Sequence, residues 1–400
     1  MAGILEGIKV LDMGHVVAVP AAGATMADWG ADVLKIEPLT GELARGLVGR
    51  LLKMTGGEFN WYIQLLNRNK KGLALDLKTE EGKDILYKLV QKSDVFMSNY
   101  ELNTLNKLGL DYDTLNQLNP KIVYAILTGY GTEGPDRNER GFDYAAAWAR
   151  SGAMYMIGEP GSDPPPQRGG MMDRVVGAHM VGGILAALLH REKTGKGQKL
   201  EFSLYHTGVW TLAEDIQPAL LDTPPTKHDR TKALNPLWNS YRTKDERWFW
   251  LAMLQSDPSW PDFCRAIERQ DLESDQRFNS MEARAEHCEE LINIIDDILA
   301  SKTSNEWERA FKKHNVIYGR VASPTEVTTD PQALANGFFA DLHHPAKEAR
   351  IVTTPVKFCQ NPASVRAPAP EVGQHTEEVL LDLGYTWDDI TDLKEKGIIL

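Results

Sequence analysis

The first 130 residues alternate short apolar runs with helix-forming segments, and this alternation constrains the fold more than any other feature of the chain. Five runs are typical of β-strands: residues 8–13, 32–37, 72–77, 94–98 and 122–127. Helices are predicted from Pro20 to Gly30, and after Thr79, which suits a helix cap. Such alternation predicts an α/β fold with a parallel sheet. Ligands on such sheets bind beyond the carboxyl ends of the strands. Those ends lie near His15, Pro38, Lys78, Asn99 and Gly129.

The pattern changes after Gln217, which indicates a second domain. Residues 223–232 have the composition of a linker, 235–250 carry aromatic residues at strand-like spacing, and 261–311 have helical patterns. These segments predict a smaller α+β domain. The tail alternates short strands with proline-rich loops and ends in a helical signal at 375–380. A chain of 400 residues is long enough for two domains.

Charge and composition exclude several classes of protein. The net charge is −12, so a nucleic-acid surface rich in lysine and arginine is not expected. Three cysteines, Cys264, Cys288 and Cys359, have no metal-type spacing and favour a reducing compartment. The longest apolar run, 175–189, is short for a membrane span and suits a buried helix. We expect a cytoplasmic protein with no signal peptide and no nucleic-acid or membrane partner.

Several catalytic and binding motifs are absent or incomplete. Residues 129–134 match the spacing G-x-G-x-x-G, but turn residues follow where a dinucleotide site needs a helix. A glycine-rich loop is the better interpretation. The chain has no G-x-S-x-G, H-E-x-x-H or C-x-x-C, which excludes the common serine-hydrolase and zinc sites. Basic residues between the predicted strands suit either a polyphosphate site or a solvated surface.

Asp173 follows two glycines and precedes the apolar helix at 175–189. An aspartate at that place is typical of a helix N-cap. A carboxylate held at the mouth of a buried helix is also a candidate nucleophile toward an acyl group. The spacing alone leaves both roles open, and one residue can serve both.

A series of motifs resembles the family III CoA-transferases, the CaiB/BaiF family that includes formyl-CoA transferase. The motifs are residues 5–12, 30–37, 69–71, 75–78, 119–124, 141–144, 183–188, 194–198 and 373–380. The resemblance extends from residue 4 to residue 390. It implies a large Rossmann-like domain built from residues 1–217 and 326–400, with a small domain and its linkers at 218–325. It also implies a homodimer in which two chains interlock like links.

The resemblance assigns the catalytic carboxylate to Asp173. The implied reaction moves CoA from an acyl-CoA donor to a carboxylic acid through an aspartyl-CoA thioester. Because each step exchanges one activated acyl group for another, neither ATP nor a metal is needed, and CoA is a substrate and not a tightly bound cofactor.

The residues implied to contact CoA are Val17, Ala18, Leu75, Asp76, Lys78, Asn99, Tyr100, Lys107, Arg140 and Phe142. Two positions depart from the family. Lys107 stands where many relatives have arginine, and Pro38 where some have an arginine on the nucleotide. The partner of the 3′-phosphate therefore stays open among Arg45, Arg68 and Lys71.

The segment 142–152 is similar to relatives that act on 2-hydroxy acids and aryl-substituted acids. The glycine-rich lid of formyl-CoA transferases does not occur between 217 and 260, so oxalate is a poor candidate. Benzylsuccinate-type and carnitine-type acids stay open. Related racemases need histidine where Phe142 stands, and silent partner subunits lack the nucleophile that Asp173 provides. Both alternatives, an α-methylacyl-CoA racemase and a partner subunit of a heteromeric transferase, are disfavoured.

Overall fold

A computed structural model describes residues 3–46 and 59–400, and the chain forms two compact units. The large unit comprises residues 1–154, 166–224 and 333–400, and the small unit comprises 155–165 and 225–332. The family resemblance implied that residues 155–165 belong to the large domain. Instead, Glu159 accepts hydrogen bonds from the Lys227 side chain at 3.4 Å and the Arg230 backbone at 3.3 Å, which ties this segment to the small unit.

The large unit contains a parallel sheet of six strands in the order β3-β2-β1-β4-β5-β6. Its strands are β1 (Lys9–Met13), β2 (Asp32–Glu37), β3 (Lys71–Ala74), β4 (Val95–Ser98), β5 (Val123–Thr128) and β6 (Gln198–Ser203). The predicted α/β fold and its five strands are confirmed. β3 ends before its predicted end because the Asp76 backbone N–H turns away to the Ile398 carbonyl at 2.9 Å.

β6 was not predicted from the sequence. It is the edge strand beyond β5 and alternates half-buried residues with the exposed Lys199 and Glu201. An edge strand with charged residues on one side gives a weak hydrophobic signal. Its register with β5, from Val123–Gln198 to Thr128–Ser203, is established by the sheet.

The helices follow the chain in this order: α1 (Ala18–Asp28), α2 (Trp61–Asn67), α3 (Glu80–Gln91), α4 (Leu102–Leu108), α5 (Tyr112–Leu118), a π-helix (Asp143–Ala149), α6 (Ala153–Met156), α7 (Met171–Thr194), α8 (Leu204–Thr211), α9 (Ala213–Ala219), α10 (Ser256–Ala266), α11 (Met281–Glu286), α12 (Cys288–Leu299), α13 (Ser304–Lys313), α14 (Pro324–Val327), α15 (Pro331–Ala335), α16 (Thr376–Asp382) and α17 (Trp387–Glu395). Single turns of 3-10 helix lie at Arg230–Lys232 and Gln270–Leu272. The Thr79 side chain caps α3 by accepting the Gly82 N–H, as predicted.

Close packing of α7 against α1 brings the amino-terminal parts of both helices together. A Cβ atom at Gly177 would lie 3.0 Å from the Ala18 carbonyl oxygen, closer than nearly all such contacts, so glycine favours this close approach. By length and composition α7 also resembles a membrane span, and 44% of its most apolar window is buried. Its buried side, which includes Val176 and Met180, belongs to the core of the large unit.

The carboxyl-terminal segment completes the large unit. His375 exchanges two hydrogen bonds with Gly72, backbone to backbone at 2.9 Å and backbone to ring at 3.1 Å, so the edge of β3 is covered. Leu380 and Ile390 pack in the same core as Leu73. A hairpin of β10 (Phe339–His344) and β11 (Lys347–Val352) precedes these helices.

The small unit is an α+β structure. An antiparallel sheet of β7 (Ser240–Arg242), β8 (Trp248–Leu251) and β9 (Tyr318–Arg320) packs against helices through an aromatic core. Phe249, Phe263 and Phe311 are fully buried there, which agrees with the aromatic spacing of the sequence.

Candidate active site

Two neighbouring clefts open at the carboxyl ends of the parallel strands. The main cleft has a volume of about 510 Å³ and includes residues 15–18, 99–104, 127–129 and 137–142, together with Asp173. The side cleft has a volume of about 380 Å³ and includes residues 36–40 and 75–78. Tyr100 and Thr104 line both. All five predicted strand ends line one cleft or the other, because parallel strands present their carboxyl ends at one edge.

Asp173 lies in the first turn of α7 and is 9% exposed. The cap position of this helix belongs to Gly170, whose φ of +82° is left-handed, so Asp173 is not the N-cap. Among the described residues no group donates a hydrogen bond to its carboxylate. A buried carboxylate without such a donor, at the wall of a cleft, is suited to react with a ligand and not to support the helix.

Asp143 performs the capping function that the sequence analysis considered for Asp173. One carboxylate oxygen accepts the Asp173 backbone N–H at 2.9 Å, and the other accepts the Gly170 N–H at 3.1 Å and the Trp148 indole N–H at 2.9 Å. Asp143 is itself buried at the start of the π-helix. The bonds to Gly170 and Asp173 hold the backbone that carries Asp173, and the bond to Trp148 holds the Asp143 side chain.

Burial and, to a smaller extent, the negative charge of Asp143 together raise the pKa of Asp173 to about 7, against the opposing effect of the Arg174 cation. A carboxylate with such a pKa is more basic than an ordinary aspartate and still ionises near neutral pH. It is therefore a stronger nucleophile than a solvated carboxylate.

Val17 and Ala18 line the main cleft at the amino end of α1, and no side chain caps that helix. Asn99 holds the preceding turn. Its side-chain oxygen accepts the His15 N–H, and its amide donates to the His15 carbonyl, both at 2.9 Å. Tyr100 packs edge-on against the His15 ring at 5.2 Å. The uncapped N–H groups of α1 form a positive site on the side of the cleft that also holds Asp173.

Leu75, Asp76 and Lys78 line the side cleft. The Asp76 carboxylate accepts the Lys78 backbone N–H at 3.0 Å, and the Lys78 side chain is exposed. Pro38 contributes an apolar wall. Lys107 lies in the last turn of α4 and lines neither of these two clefts, so the structure does not bring it together with the other predicted residues.

Arg140 and Phe142 line the main cleft. The Arg140 guanidinium forms an exposed ion pair with Glu101 at 2.9 Å. Phe142 is 57% exposed and carries no titratable group, so this wall has no imidazole where a racemase needs one. Arg137 lines the same cleft and adds a second guanidinium.

The three candidates for the 3′-phosphate are each used elsewhere and line neither of these two clefts. Arg45 pairs with Glu37 at 2.7 Å, Arg68 with Asp28 at 2.7 Å and Lys71 with Glu378 at 2.8 Å. Their ion pairs have a structural role in the large unit.

Three residues at or near the site were missed by the sequence analysis as functional groups: Asp143, His15 and Tyr62. Burial raises the pKa of Tyr62 to about 12, and the charge of Asp173 contributes to that rise, which places the phenol in the electrostatic range of the nucleophile. Asp143 lies in the family motif 141–144 and His15 directly follows β1, so two of the three had a signal in the chain. No group of histidine, cysteine, aspartate and glutamate side chains within residues 3–46 and 59–400 is suited to hold a metal ion.

Comparison with known proteins agrees with this geometry. The family model described as CoA-transferase family III matches residues 5–376. The (R)-2-hydroxy-4-methylpentanoate CoA-transferase of Clostridioides difficile is 33% identical over 397 residues, which cover 99% of both chains. The cinnamoyl-CoA:phenyllactate CoA-transferase of Clostridium sporogenes is 33% identical over 99% of this chain and 98% of the relative.

The same result comes from solved structures. A crystal structure of a CAIB/BAIF family protein from Brucella suis superposes with a TM-score of 0.85 and 26% identity, and the match covers 96% of this chain and 100% of that one. The six-stranded parallel sheet, the clefts at its carboxyl edge and the matches over nearly the whole chain lead to one conclusion. The chain belongs to CoA-transferase family III and is a CoA-transferase whose substrates are acyl-CoA thioesters and carboxylic acids.

Proposed function

We propose that the chain moves CoA from an acyl-CoA donor to a carboxylic acid through a covalent thioester between Asp173 and CoA. The observation that carries the proposal is the buried Asp173 carboxylate at the main cleft, held through its backbone by Asp143 and with its pKa raised to about 7. A nucleophile in this reaction needs to be ionised, accessible from the cleft and free of a competing cation at contact distance.

The reaction proceeds by four exchanges at carbonyl carbons. The Asp173 carboxylate attacks the donor thioester, which gives a mixed anhydride and releases the CoA thiolate. The thiolate attacks the aspartyl carbonyl, which forms the aspartyl-CoA thioester and releases the donor acid. The acceptor carboxylate attacks this thioester, which gives a second anhydride and again the thiolate. The thiolate then attacks the acceptor acyl carbonyl, which forms the new acyl-CoA and regenerates Asp173.

Each exchange passes through an oxyanion, and each releases a negatively charged group. The uncapped N–H groups at the amino end of α1 are suited to stabilise such an oxyanion beside Val17 and Ala18. We assign the CoA chain to the main cleft along Asn99, Tyr100, Arg140 and Phe142, and its nucleotide end to the side cleft at Leu75, Asp76 and Lys78. Tyr100 lines both clefts, which supports one ligand spanning the two.

The acceptor acid is proposed to be a 2-hydroxy acid or an aryl-substituted or branched acid. Two relatives matched over 99% of this chain are named for (R)-2-hydroxy-4-methylpentanoate and for phenyllactate. The exposed ring of Phe142 gives the main cleft an apolar wall directly before Asp143, which suits an aryl or branched side chain.

We further propose that two copies form an interlocked homodimer in the cytoplasm. Large apolar side chains of the large unit are exposed on α7, on α8 and in the turn after α9: Leu189, Trp210, Leu220 and Leu221 are between 59% and 71% exposed. Apolar residues exposed on consecutive helices are typical of a surface that a second copy covers.

The test of the covalent mechanism is a trapping experiment. Wild-type protein incubated with acyl-CoA and then with hydroxylamine or borohydride should carry a modification on the peptide that contains Asp173, detected by mass spectrometry. Asp173→Asn should show no such label and should lose several orders of magnitude in turnover, because an amide is a far weaker nucleophile. Label on Asp143, or near-normal transfer by Asp173→Asn, would exclude the assignment.

The acceptor is tested separately with a panel of acids, using succinyl-CoA and acetyl-CoA as donors. Phenyllactate and 2-hydroxy-4-methylpentanoate should give higher kcat/KM values than oxalate. A preference for oxalate would contradict the proposed acceptor class while leaving the covalent mechanism intact.

A further inference from the structure

The turn between β1 and α1 has a strained backbone. Val16 has a φ of +66°, in the left-handed region that a β-branched residue rarely occupies. The residues that follow, Val17 and Ala18, line the main cleft beside Asp173. A Cβ atom added at Gly170, the cap of α7, would meet the Val17 methyl groups at 3.4 Å. Val17, which directly follows the strained residue, thus lies close to Gly170 at the amino end of α7.

Polar groups from outside the turn hold it in this conformation. The Gly14 carbonyl accepts the Lys35 ammonium at 2.8 Å, and Asn99 exchanges two hydrogen bonds with His15. At the strained residue itself, the Val16 N–H donates to Glu42 Oε2 at 2.9 Å. The hydrogen bond that Glu42 accepts from Val16 thus directly compensates for the backbone conformation of Val16.

Glu42 is in turn held by a buried network of charges. Its Oε2 also accepts the Ala44 N–H at 3.1 Å, its backbone N–H donates to Glu37 at 2.9 Å, and its Oε1 lies 3.7 Å from the Lys35 ammonium. Lys35 and Glu42 are both buried, and Oε1 has no hydrogen-bond donor among the described residues. Burying a charge of this kind lowers the free energy of unfolding. Here the buried Glu42 carboxylate restrains the turn.

A second buried ion pair, Lys70 with Asp12, also holds this turn. Lys70 donates to Asp12 at 2.6 Å and to the Pro20 carbonyl at 2.9 Å, and Asp12 accepts the Gly14 N–H at 2.9 Å. The two pairs together contain two cations and two carboxylates, so their charges balance. Of the two carboxylates, Glu42 is the one that bonds to the strained residue.

We propose that Glu42 is a positioning residue for CoA transfer, which acts by holding Val16 in its left-handed conformation so that the amino end of α1 stays in register with Asp173. Glu42 lines neither of the two clefts and acts through Val16 and Val17. The inference rests on the proposed reaction at Asp173, and it adds a residue to which neither the sequence nor the family resemblance assigned a role.

The test compares Glu42→Ala with a matched control in the same unit. Asp28→Asn alters another buried carboxylate, at the carboxyl end of α1, which pairs with Arg68 and makes no hydrogen bond to residues 14–18 among the described residues. Each variant is checked for folding by circular dichroism, and the rate of adduct formation on Asp173 is measured in a single turnover. Glu42→Ala should lower this rate about tenfold or more, and Asp28→Asn should stay within about twofold of wild type.

The decisive measurement is a rescue. Glycine adopts a positive φ without strain, so Val16→Gly in the Glu42→Ala background should raise the rate at least about threefold. A merely structural role for Glu42 gives no such rescue, because glycine restores no buried contact. No gain in the double variant, or a folded Glu42→Ala protein with the wild-type rate, would overturn the proposal.

Three further outcomes are distinguishable. If Glu42→Ala does not fold, Lys35→Met/Glu42→Leu replaces the buried ion pair by apolar side chains of similar size, and the same Val16→Gly rescue is applied to it. If wild-type protein forms no adduct on Asp173 while transfer proceeds, the proposed mechanism fails. If the adduct forms and the rate is insensitive to Glu42, only the positioning role fails.

Discussion

Asp143 and Asp173 are neighbouring carboxylates that have different roles because their surroundings differ. Asp143 is satisfied by three hydrogen bonds, two of them from the backbone that carries Asp173, and it acts as an external helix cap. Asp173 receives no such support and is buried beside that charge, so its pKa rises to about 7. The same arrangement that makes Asp173 a good nucleophile also makes its ionised form costly to the fold.

Asp173→Asn is therefore expected to stabilise the protein while abolishing transfer. Between 3.8, the ordinary pKa, and about 7, folded Asp173 holds a proton that the unfolded chain has released, so its contribution to stability falls as the pH rises through this window. The amide has no proton to lose. At pH 8 the variant should gain about 2–4 kcal/mol in the free energy of unfolding, and near pH 4 almost nothing. Urea unfolding at both pH values measures the difference, and an equal gain at both would argue against the raised pKa.

At the scale of elements, the strand ends and the helix ends of the large unit contribute differently to the clefts. Lys78 follows β3 and lines the side cleft. Lys107 is at the carboxyl end of α4 and lines neither cleft. Lys107 is also the last-turn cation of α4, where it complements the helix dipole. The family resemblance implies that both lysines contact CoA. Of the two, only Lys78 lines one of the two clefts.

Lys78→Ala should raise KM for the donor and the acceptor CoA thioester by the same factor, about three- to tenfold, because the two substrates share only CoA. Lys107→Ala is the matched control and should leave both KM values within about twofold of wild type. Initial-rate kinetics with two different acyl-CoA donors provide the measurement. A larger effect at Lys107 than at Lys78 would show that the nucleotide lies elsewhere.

At the scale of the whole molecule, large apolar side chains of α7, of α8 and of the turn after α9 are exposed within one copy of the described chain. Each of the two units has its own buried hydrophobic core. A second copy that covers this surface would explain why a helix as apolar as α7 is only partly buried. Interlocking adds a topological barrier, since separation then requires unfolding.

Sedimentation velocity on serial dilution should accordingly show a dimer that persists to nanomolar concentration. Trp210→Glu places a charge on the exposed surface and should lower the yield of folded dimer without producing a stable monomer. Glu395→Lys, an exposed charge change on α17 and outside this surface, serves as the control for altered surface charge. A folded, soluble monomer at nanomolar concentration would contradict the interlocked assembly.

Local patterns in the chain were sufficient for the strand–helix alternation, for the parallel sheet and for the five strand ends that line the clefts, because side-chain periodicity and turn residues act over a few positions. They also identified Asp173 as a candidate nucleophile. Only the tertiary structure decided that Asp173 does not cap its helix, since the carboxylate that does so lies 30 residues earlier in the chain. It likewise decided the register of β6 and the placement of Lys107 outside both clefts. These features depend on hydrogen bonds and packing between segments that are distant in sequence. The local amino-acid pattern contains no signal for such contacts.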